Sequence, residues 1–422
     1  MAREITSAPL MGQHATRAML ERPDYLFHQL IPYIGNKRKL LPLIREAINS
    51  TGLRSGDDNS ILSLSKGATI TFVDLFAGSG SVSRLAKTMG FRVIANDWEP
   101  YSYYINAAYI AENSPPSFEC LGGVGAAFQA LNSLKPVTGY IATHYCPADD
   151  ENPDFENERM FYTQENGCRI DAIREQITNW KEAGVINPAE EAVLLASLIY
   201  QAAYCSNTSG VFKGFHRGWG GATKTAWYRI RSKLAVKPPV FFDNGQKNEV
   251  YRQNAHDLVA EIPADVVYID PPYNQHQYGS NYHLLNTVAL WDKPPIERHI
   301  TPGSKSAIRK DWRTSRRSLY CYKSTALPAF QKLIDNINAR FILMSYSTDG
   351  LMTPRSVLEA LGRRGKLWIH TRHYKRYRVS SQRPSLRPQT VEFVAVVDTA
   401  LPPGANDVED SVKLISKQAD GE

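Results

Sequence analysis

Short apolar runs alternate with amphipathic stretches in two separated regions of the chain. In the first, Thr71-Phe72-Val73-Asp74-Leu75 and Phe91-Arg92-Val93-Ile94-Ala95 have strand length, and Val82 to Met89 between them repeats apolar positions at helical spacing. The stretch from Tyr33 to about Ile48 is amphipathic, and Ser50 to Lys66, rich in Ser, Gly and Asp, reads as a loop. The rhythm resumes with strands over Val250 to Leu258 and Val266 to Ile269. A helix from Ala326 to Ile337, a strand from Arg340 to Tyr346 and a helix from Pro354 to Leu361 follow. Leu367 to Thr371 and Thr390 to Val397 are expected to close as an antiparallel ribbon. Strands alternating with helices predict an α/β fold around a largely parallel sheet. Pro115-Pro116 marks a boundary, beyond which only Ile170 to Lys181 and Ala189 to Tyr204 read as clear helices. The pattern therefore predicts a sheet in two halves, 28–115 and 246–400, split by a largely helical insert over 116–245. Residues 1–27 read as a poorly ordered or loosely docked arm, and 401–422 as a polar tail with no core residues to bury.

Candidate chemistry sits where predicted strands end, which is where open α/β sheets bind ligands. Asp270-Pro271-Pro272-Tyr273 follows the Val266 strand. Its prolines fix φ and lack N–H donors, so the turn is stiff and its carbonyls are left to accept from something else. An acid, a bare carbonyl and a flat ring suit a planar ligand with an exocyclic amino group, such as adenine. Alone, the tetrapeptide also reads as a proline-rich strand exit with a surface Asp and a packing Tyr. The first strand runs into Phe76-Ala77-Gly78-Ser79-Gly80, a turn whose glycines let the backbone approach a ligand. The third glycine of a dinucleotide fingerprint is missing, which argues against a pyrophosphate cofactor. Asp97 ends the next strand, where an acid meets a ribose diol. These features fit a nucleoside cofactor without a diphosphate, as S-adenosylmethionine is. Lys37, at the opening of the first amphipathic stretch, is positioned for the carboxylate of a methionine moiety, or else opens a basic surface helix. Asp257 reads as the end of another strand, flanking the cofactor's adenine.

Tyr33-Ile34-Gly35-Asn36-Lys37, then Phe76-Ala77-Gly78-Ser79-Gly80, then Asp270-Pro271-Pro272-Tyr273, in that order, resembles the D12 class of DNA N6-adenine methyltransferases. Asn207 to Phe212, Gln277 to Asn286 and Phe341 to Ser347 resemble a branch of that class, so the likeness runs from about residue 28 to 398. The resemblance implies a Rossmann-like sheet dependent on S-adenosylmethionine, with the insert as target-recognition domain. It implies cofactor contacts at Tyr33, Lys37, Asp97 and Asp270, with Asp74, Phe76, Gly78 and Gly80 forming the adjoining strand end and turn. Many relatives carry Trp where this chain has Tyr33. Catalysis would fall to Asp270, Pro271, Pro272 and Tyr273, the last stacking on a flipped-out adenine. Enzymes acting on cytosine N4 usually show Ser in the Asp270 position, and glutamine and some RNA enzymes show Asn. A non-catalytic DNA-binding relative would have lost Asp270, Tyr273 or the glycine turn.

Composition agrees with a nucleic-acid enzyme: 422 residues carry 49 Lys and Arg against 42 Asp and Glu, a formal net charge of +7. Aromatic and basic residues interleave between Asn207 and Lys237, with Lys213, Arg217, Lys224, Arg229 and Arg231 as candidate DNA contacts. A second basic run, Arg298 to Arg317, offers Arg309 and Arg313, and a third spans Arg363 to Arg387. Each also reads as a solvated charged face. His276 and His283 read as loop or packing residues. The five cysteines form no Cys-x-x-Cys pair and point to a reducing compartment without a metal site. Absence of a signal-peptide pattern or membrane-length apolar run leads to the expectation of a cytoplasmic protein, prokaryotic or phage-encoded. It would act as a monomer on double-stranded DNA, beside a possible cognate restriction endonuclease.

Overall fold

The computed structural model describes residues 22–53, 69–221, 224–309, 312, 316–375 and 389–420. Seven strands form one sheet in the order β3-β2-β1-β4-β5-β7-β6. They are β1 (Thr71–Asp74), β2 (Arg92–Asn96), β3 (Glu249–Tyr251), β4 (Ala264–Ile269), β5 (Ala339–Ser347), β6 (Lys366–Lys375) and β7 (Gln389–Asp398). The first five are parallel, with Val73 opposite Ile94 on one side and Val267 on the other. β7 runs antiparallel to both β5 and β6, which is the expected ribbon extended by β5. From β1 the chain order runs outward both ways, so the topological switch lies between β1 and β4. Asp74 ends one of those strands and Asp270 follows the other.

Strand alternation sorts the core into two layers. Phe72, Val93, Val266, Phe341 and Val394 face α1 (Leu41–Ser50) and α2 (Ser81–Thr88). Val73, Ile94, Val267, Ile342 and Phe393 face the opposite layer of helices. That layer includes α6 (Ala255–Glu261), α8 (Lys323–Asp335) and α9 (Pro354–Gly362). A third cluster belongs to the insert, whose long helices are α4 (Gln164–Glu182) and α5 (Pro188–Tyr204). Asn187 and Glu190 form a capping box that starts α5, and Pro188 occupies its first turn. The insert cluster is continuous with Tyr101 and Ile105 of α3 (Pro100–Asn106) and with Leu284, Leu285 and Val288 of α7 (His283–Leu290). The insert therefore shares its core with the two helices that leave the cofactor and catalytic loops. Among the described residues, no helix is long and apolar enough to cross a membrane.

Three expectations need correction. Val250 to Leu258 is not one strand: β3 stops at Tyr251, the Asn254 side chain accepts from His256 N at 3.0 Å, and this cap starts α6. Asp257 accordingly lies in the first turn of a helix, not at a strand end. The last part of the N-terminal arm is docked, because Tyr25 and Leu26 are fully buried and Arg84 Nη1 donates to the Tyr25 and His28 carbonyls at 3.2 and 2.7 Å. Residues 1–21, like most of the Ser50 to Lys66 stretch, lie outside the described residues. The segment beyond Leu401 is not a bare polar tail, since α10 (Asp407–Asp420) packs Ile415 into the same cluster as Leu361 and Leu367. Its apolar positions are too sparse for a run but share one helical face. Ile415→Ala should lower unfolding free energy by about 2 kcal/mol in a urea titration, whereas unchanged stability would show that α10 adds nothing to the fold.

Candidate active site

The carboxyl ends of β1, β2 and β4 open into one pocket, lined by Tyr33, Lys37, Asp74, Phe76, Gly78, Asp97, Asp270 and Tyr273 among others. The first and last motifs, more than 200 positions apart in sequence, thus share one surface with the glycine turn. Lys37 Nζ lies 2.9 Å from Asp270 Oδ1, with the lysine side chain 3% exposed and the aspartate 16%. The same ammonium sits 5.1 Å from the centroid of the Tyr273 ring. Burial disfavours the charge on Lys37, but Asp270, Tyr273 and Glu392 more than offset it, and its pKa lies above the ordinary value. Burial raises Asp270, and Lys37 draws it back down. Of the two roles the sequence left open for Lys37, a basic surface helix start is excluded by its burial, and its ammonium is engaged by Asp270.

The loop that carries Lys37 is tied on every side. Gly35 has φ of 73°, and a Cβ there would lie 3.3 Å from the hydroxyls of Tyr273 and Tyr278. Ile34 N donates to Tyr282 Oη at 2.8 Å, and Tyr278 Oη donates to the Ile34 carbonyl at 3.1 Å. Arg38 donates to the carbonyls of Leu30 and Ile31. Tyr33 stacks on Tyr282 at 5.1 Å and presses on the glycine turn, where a Cβ on Gly78 would come within 2.9 Å of its ring. Tyr273 is held through its carbonyl, which accepts from Leu351 N at 2.9 Å.

Asp97 receives Gly78 N at 2.7 Å on Oδ2 and Glu99 N at 2.8 Å on Oδ1. It therefore ties the glycine turn to the exit of β2, and Asp97 itself lines the pocket. Asp74 is buried, takes Ser83 Oγ at 2.6 Å on Oδ2, and leaves Oδ1 without a hydrogen-bond partner among the described residues. An unpartnered buried carboxylate oxygen and a turn that excludes a Cβ both fit a cationic, nucleoside-bearing ligand such as S-adenosylmethionine. Phe76 meets Tyr320 edge-on at 5.6 Å, and Tyr320 stacks with His256 at 6.0 Å, forming an aromatic end to the pocket.

Some residues escaped the sequence reading. Glu99 is buried and accepts from Asn286 Nδ2 at 2.5 Å; burial pushes it up to about 6, with Arg316 pulling the other way. Residues 316–320 cross the pocket rim, pinned where Ser318 N donates to Gln277 Oε1 at 2.8 Å. Glu392 is buried on β7 within electrostatic reach of Lys37 and Asp270. The available signal was a lone acid inside the apolar run Val391-Glu392-Phe393-Val394. Asp257 is not among the lining residues, although its neighbours Asn254, Ala255 and His256 are.

A profile of the D12 class of N6 adenine-specific DNA methyltransferases matches residues 33–341. The chain belongs to this class. It is 34% identical to a protein named type II methyltransferase M.NlaIII of Neisseria lactamica, over 87% of this chain and 98% of that one. Identity to type II methyltransferase M.FokI of Planomicrobium okeanokoites is 32%, over 90% of this chain but 54% of the relative. A third relative, type II methyltransferase M.CviAII of Paramecium bursaria Chlorella virus 1, is 29% identical over 82% of this chain and 93% of its own. The protein is an adenine-specific DNA methyltransferase, of a class that draws its methyl group from S-adenosylmethionine.

For such an enzyme the candidate DNA contacts sort by what already holds them. Arg229 donates to the Tyr204 and Ser206 carbonyls, so its guanidinium closes the end of α5. Arg231 pairs with Glu151 at 2.5 Å, and Arg309 pairs with Asp292. Arg217 and Lys224 are exposed, and Lys213 reaches the field of His276 and Cys321 beside the catalytic loop. Arg313, and much of the Arg363 to Arg387 run, lie outside the described residues. His283 is buried with Nε2 2.9 Å from the Phe212 carbonyl, a packing role as read.

Burial pushes Asp74 up to about 7. Its unfolded value is near 3.9 (about 3.9 in model peptides), so the folded state keeps a proton that the unfolded chain loses. The stability this supplies is full below the unfolded value and disappears as pH rises through the folded one. Asp74→Asn stays neutral throughout. Urea unfolding of cofactor-free protein at about pH 5 and about pH 8 should show a smaller stability drop in the variant than in wild type; an equal drop would mean that Asp74 is not the group responsible.

Proposed function

We propose that Asp270 and the Pro271 carbonyl accept the two N6 hydrogens of a flipped-out target adenine. The observation that carries this reading is the rigid Asp270–Tyr273 turn at the sheet's switch point, with a buried lysine fixing its acid. The adenine N6 lone pair is delocalised into the ring and is a poor nucleophile. Two acceptors on the amino group localise that pair and aim it, so the help comes from positioning and fixed charge. Lys37 keeps Asp270 in the acceptor form and restrains its rotamer. Tyr273 offers a face on which the base stacks, and burial excludes water. S-adenosylmethionine, when bound, supplies a sulfonium methyl group open to displacement by an amine. Tyr33, Asp74, Phe76, Gly78, Gly80, Asp97 and the His256–Tyr320 end are the residues that would hold it. Asp97 would add a ribose hydroxyl to its two backbone bonds. After transfer, the cationic amino product is acidic enough to release its proton unaided.

The relatives' names support a place in a restriction–modification system, with a cognate endonuclease as the partner activity and the cytoplasm as the working compartment. The enzyme would act as a monomer on duplex DNA and unstack its target at a cost of roughly a few kcal/mol. The insert over 116–245 would supply target recognition, together with the strap of residues 316–322. In that strap Arg317 is exposed beside Tyr322, and Leu319 is exposed at the pocket mouth.

Asp270→Ala should cut methyl incorporation by roughly 10²–10³-fold or more while DNA affinity stays near wild type; incorporation at the wild-type rate would remove Asp270 from the chemistry. For DNA binding, Arg317→Ala should lower the slope of log affinity against log salt by about 1 with unchanged unfolding. Arg229→Ala should instead lower stability with little effect on that slope. If the two effects are reversed, the strap is not a phosphate contact and the helix-end role of Arg229 is wrong.

A further inference from the structure

Glu392 stands out among the buried groups that the mechanism leaves unused. Along β7, Val391, Phe393, Ala395 and Val397 fill the core layer of α8 and α9, while Val394 and Val396 fill the layer of α1. Glu392 shares the parity of Val394, so it projects toward α1 and the loop before it, which carries Lys37. It pairs in register with Ser347 at the end of β5, the strand next to β4, which Asp270 follows. Only 7% of it is exposed, and its Oε2 has no hydrogen-bond partner among the described residues. A carboxylate so placed is costly unless a cation compensates it. Lys37 lies within its electrostatic reach. Arg372, across from it on β6, is exposed to solvent.

We propose that Glu392 is the second counter-ion of Lys37 and thereby a positioning residue for the methyl transfer, governing how strongly Asp270 accepts from the target amino group. With Asp270 as sole partner, the ammonium would claim the same acceptor density that the adenine N6 hydrogens need. A second carboxylate shares the cation and leaves Asp270 the stronger acceptor when the base arrives. Around this cluster stand Asp74 from β1, Tyr268 from β4, Tyr273 and Tyr278 from the catalytic loop, and Asp349 after β5. Among the described residues, Asp74 and Glu392 are carboxylates within electrostatic reach of Asp270. The inference rests on Asp270 being the N6 acceptor.

Glu392→Gln keeps the shape and removes the charge. Single-turnover methylation at saturating cofactor, followed across pH, should fall about tenfold at its plateau, the equivalent of one pKa unit of lost interaction. Its acid limb should also move to lower pH, because loss of a neighbouring negative charge eases ionisation of Asp270. A second readout needs no cofactor. Wild type should prefer methylatable DNA carrying adenine at the target position over the same DNA carrying purine, which lacks the amino group, and Glu392→Gln should narrow that preference. Should the glutamine variant fold poorly by urea titration, Glu392→Asp should recover both the fold and the wild-type acid limb. A variant profile that superimposes on wild type, or one scaled down with no shift and an intact adenine preference, would overturn the proposal. Asp270→Ala at wild-type rate would overturn the Asp270 reading instead.

Discussion

The buried ion pair between Lys37 and Asp270 is the constraint on which the site depends. A buried pair of this kind adds little net stability over a well-packed apolar substitute, but removing one partner strands a charge. Its effect is therefore on geometry more than on total stability. Lys37 can reach Asp270 only if the loop after residue 32 lies across the carboxyl end of β4. Gly35, Arg38 and the hydroxyls of Tyr278 and Tyr282 hold it there. Once that loop is seated, Tyr33 covers the glycine turn, and the turn in turn fixes Asp97. The cofactor side and the catalytic side are thus braced against each other.

The same bracing reaches the insert. Tyr33, Tyr101, Tyr278 and Tyr282 form one set of touching rings, and Tyr101 and Tyr282 belong to the insert's own core cluster. Glu99 and Asn286 add a buried polar link between α3 and α7 beneath the pocket. On the proposed reading of the insert as the part that engages DNA, its displacement would be felt by these helices directly, because close-packed interiors transmit displacement. This is a physical route by which duplex engagement and the state of the pocket can be coupled.

How far the sequence carried depends on whether a residue's partner was local. The parallel strands β1, β2 and β4, the glycine turn and the Asp270 turn were legible because apolar runs end in residues with unusual backbone demands. The antiparallel ribbon was legible for the same reason. Asp257 was misplaced because the strand at Val250 was carried past the Asn254 cap that starts a helix. The role of α10 was missed because two or three apolar positions on one helical face do not make a run. Glu392 and the partner of Lys37 were beyond reach, since Lys37 and Asp270 lie more than 200 positions apart in sequence and Glu392 nears them only through the register of β4, β5 and β7. The basic cluster suffered likewise: Arg229 and Arg231 look like DNA contacts in sequence, but one closes a helix end and the other pairs with an acid.

The central claim is that this braced pocket moves a methyl group to the amino nitrogen of adenine. Its most direct test is nucleoside mass spectrometry of duplex DNA incubated with purified protein and S-adenosylmethionine carrying an isotopically labelled methyl. The account predicts label in N6-methyladenine and in no other nucleoside. Label in N4-methylcytosine, or DNA left unlabelled by folded protein on a substrate of mixed sequence, would contradict it.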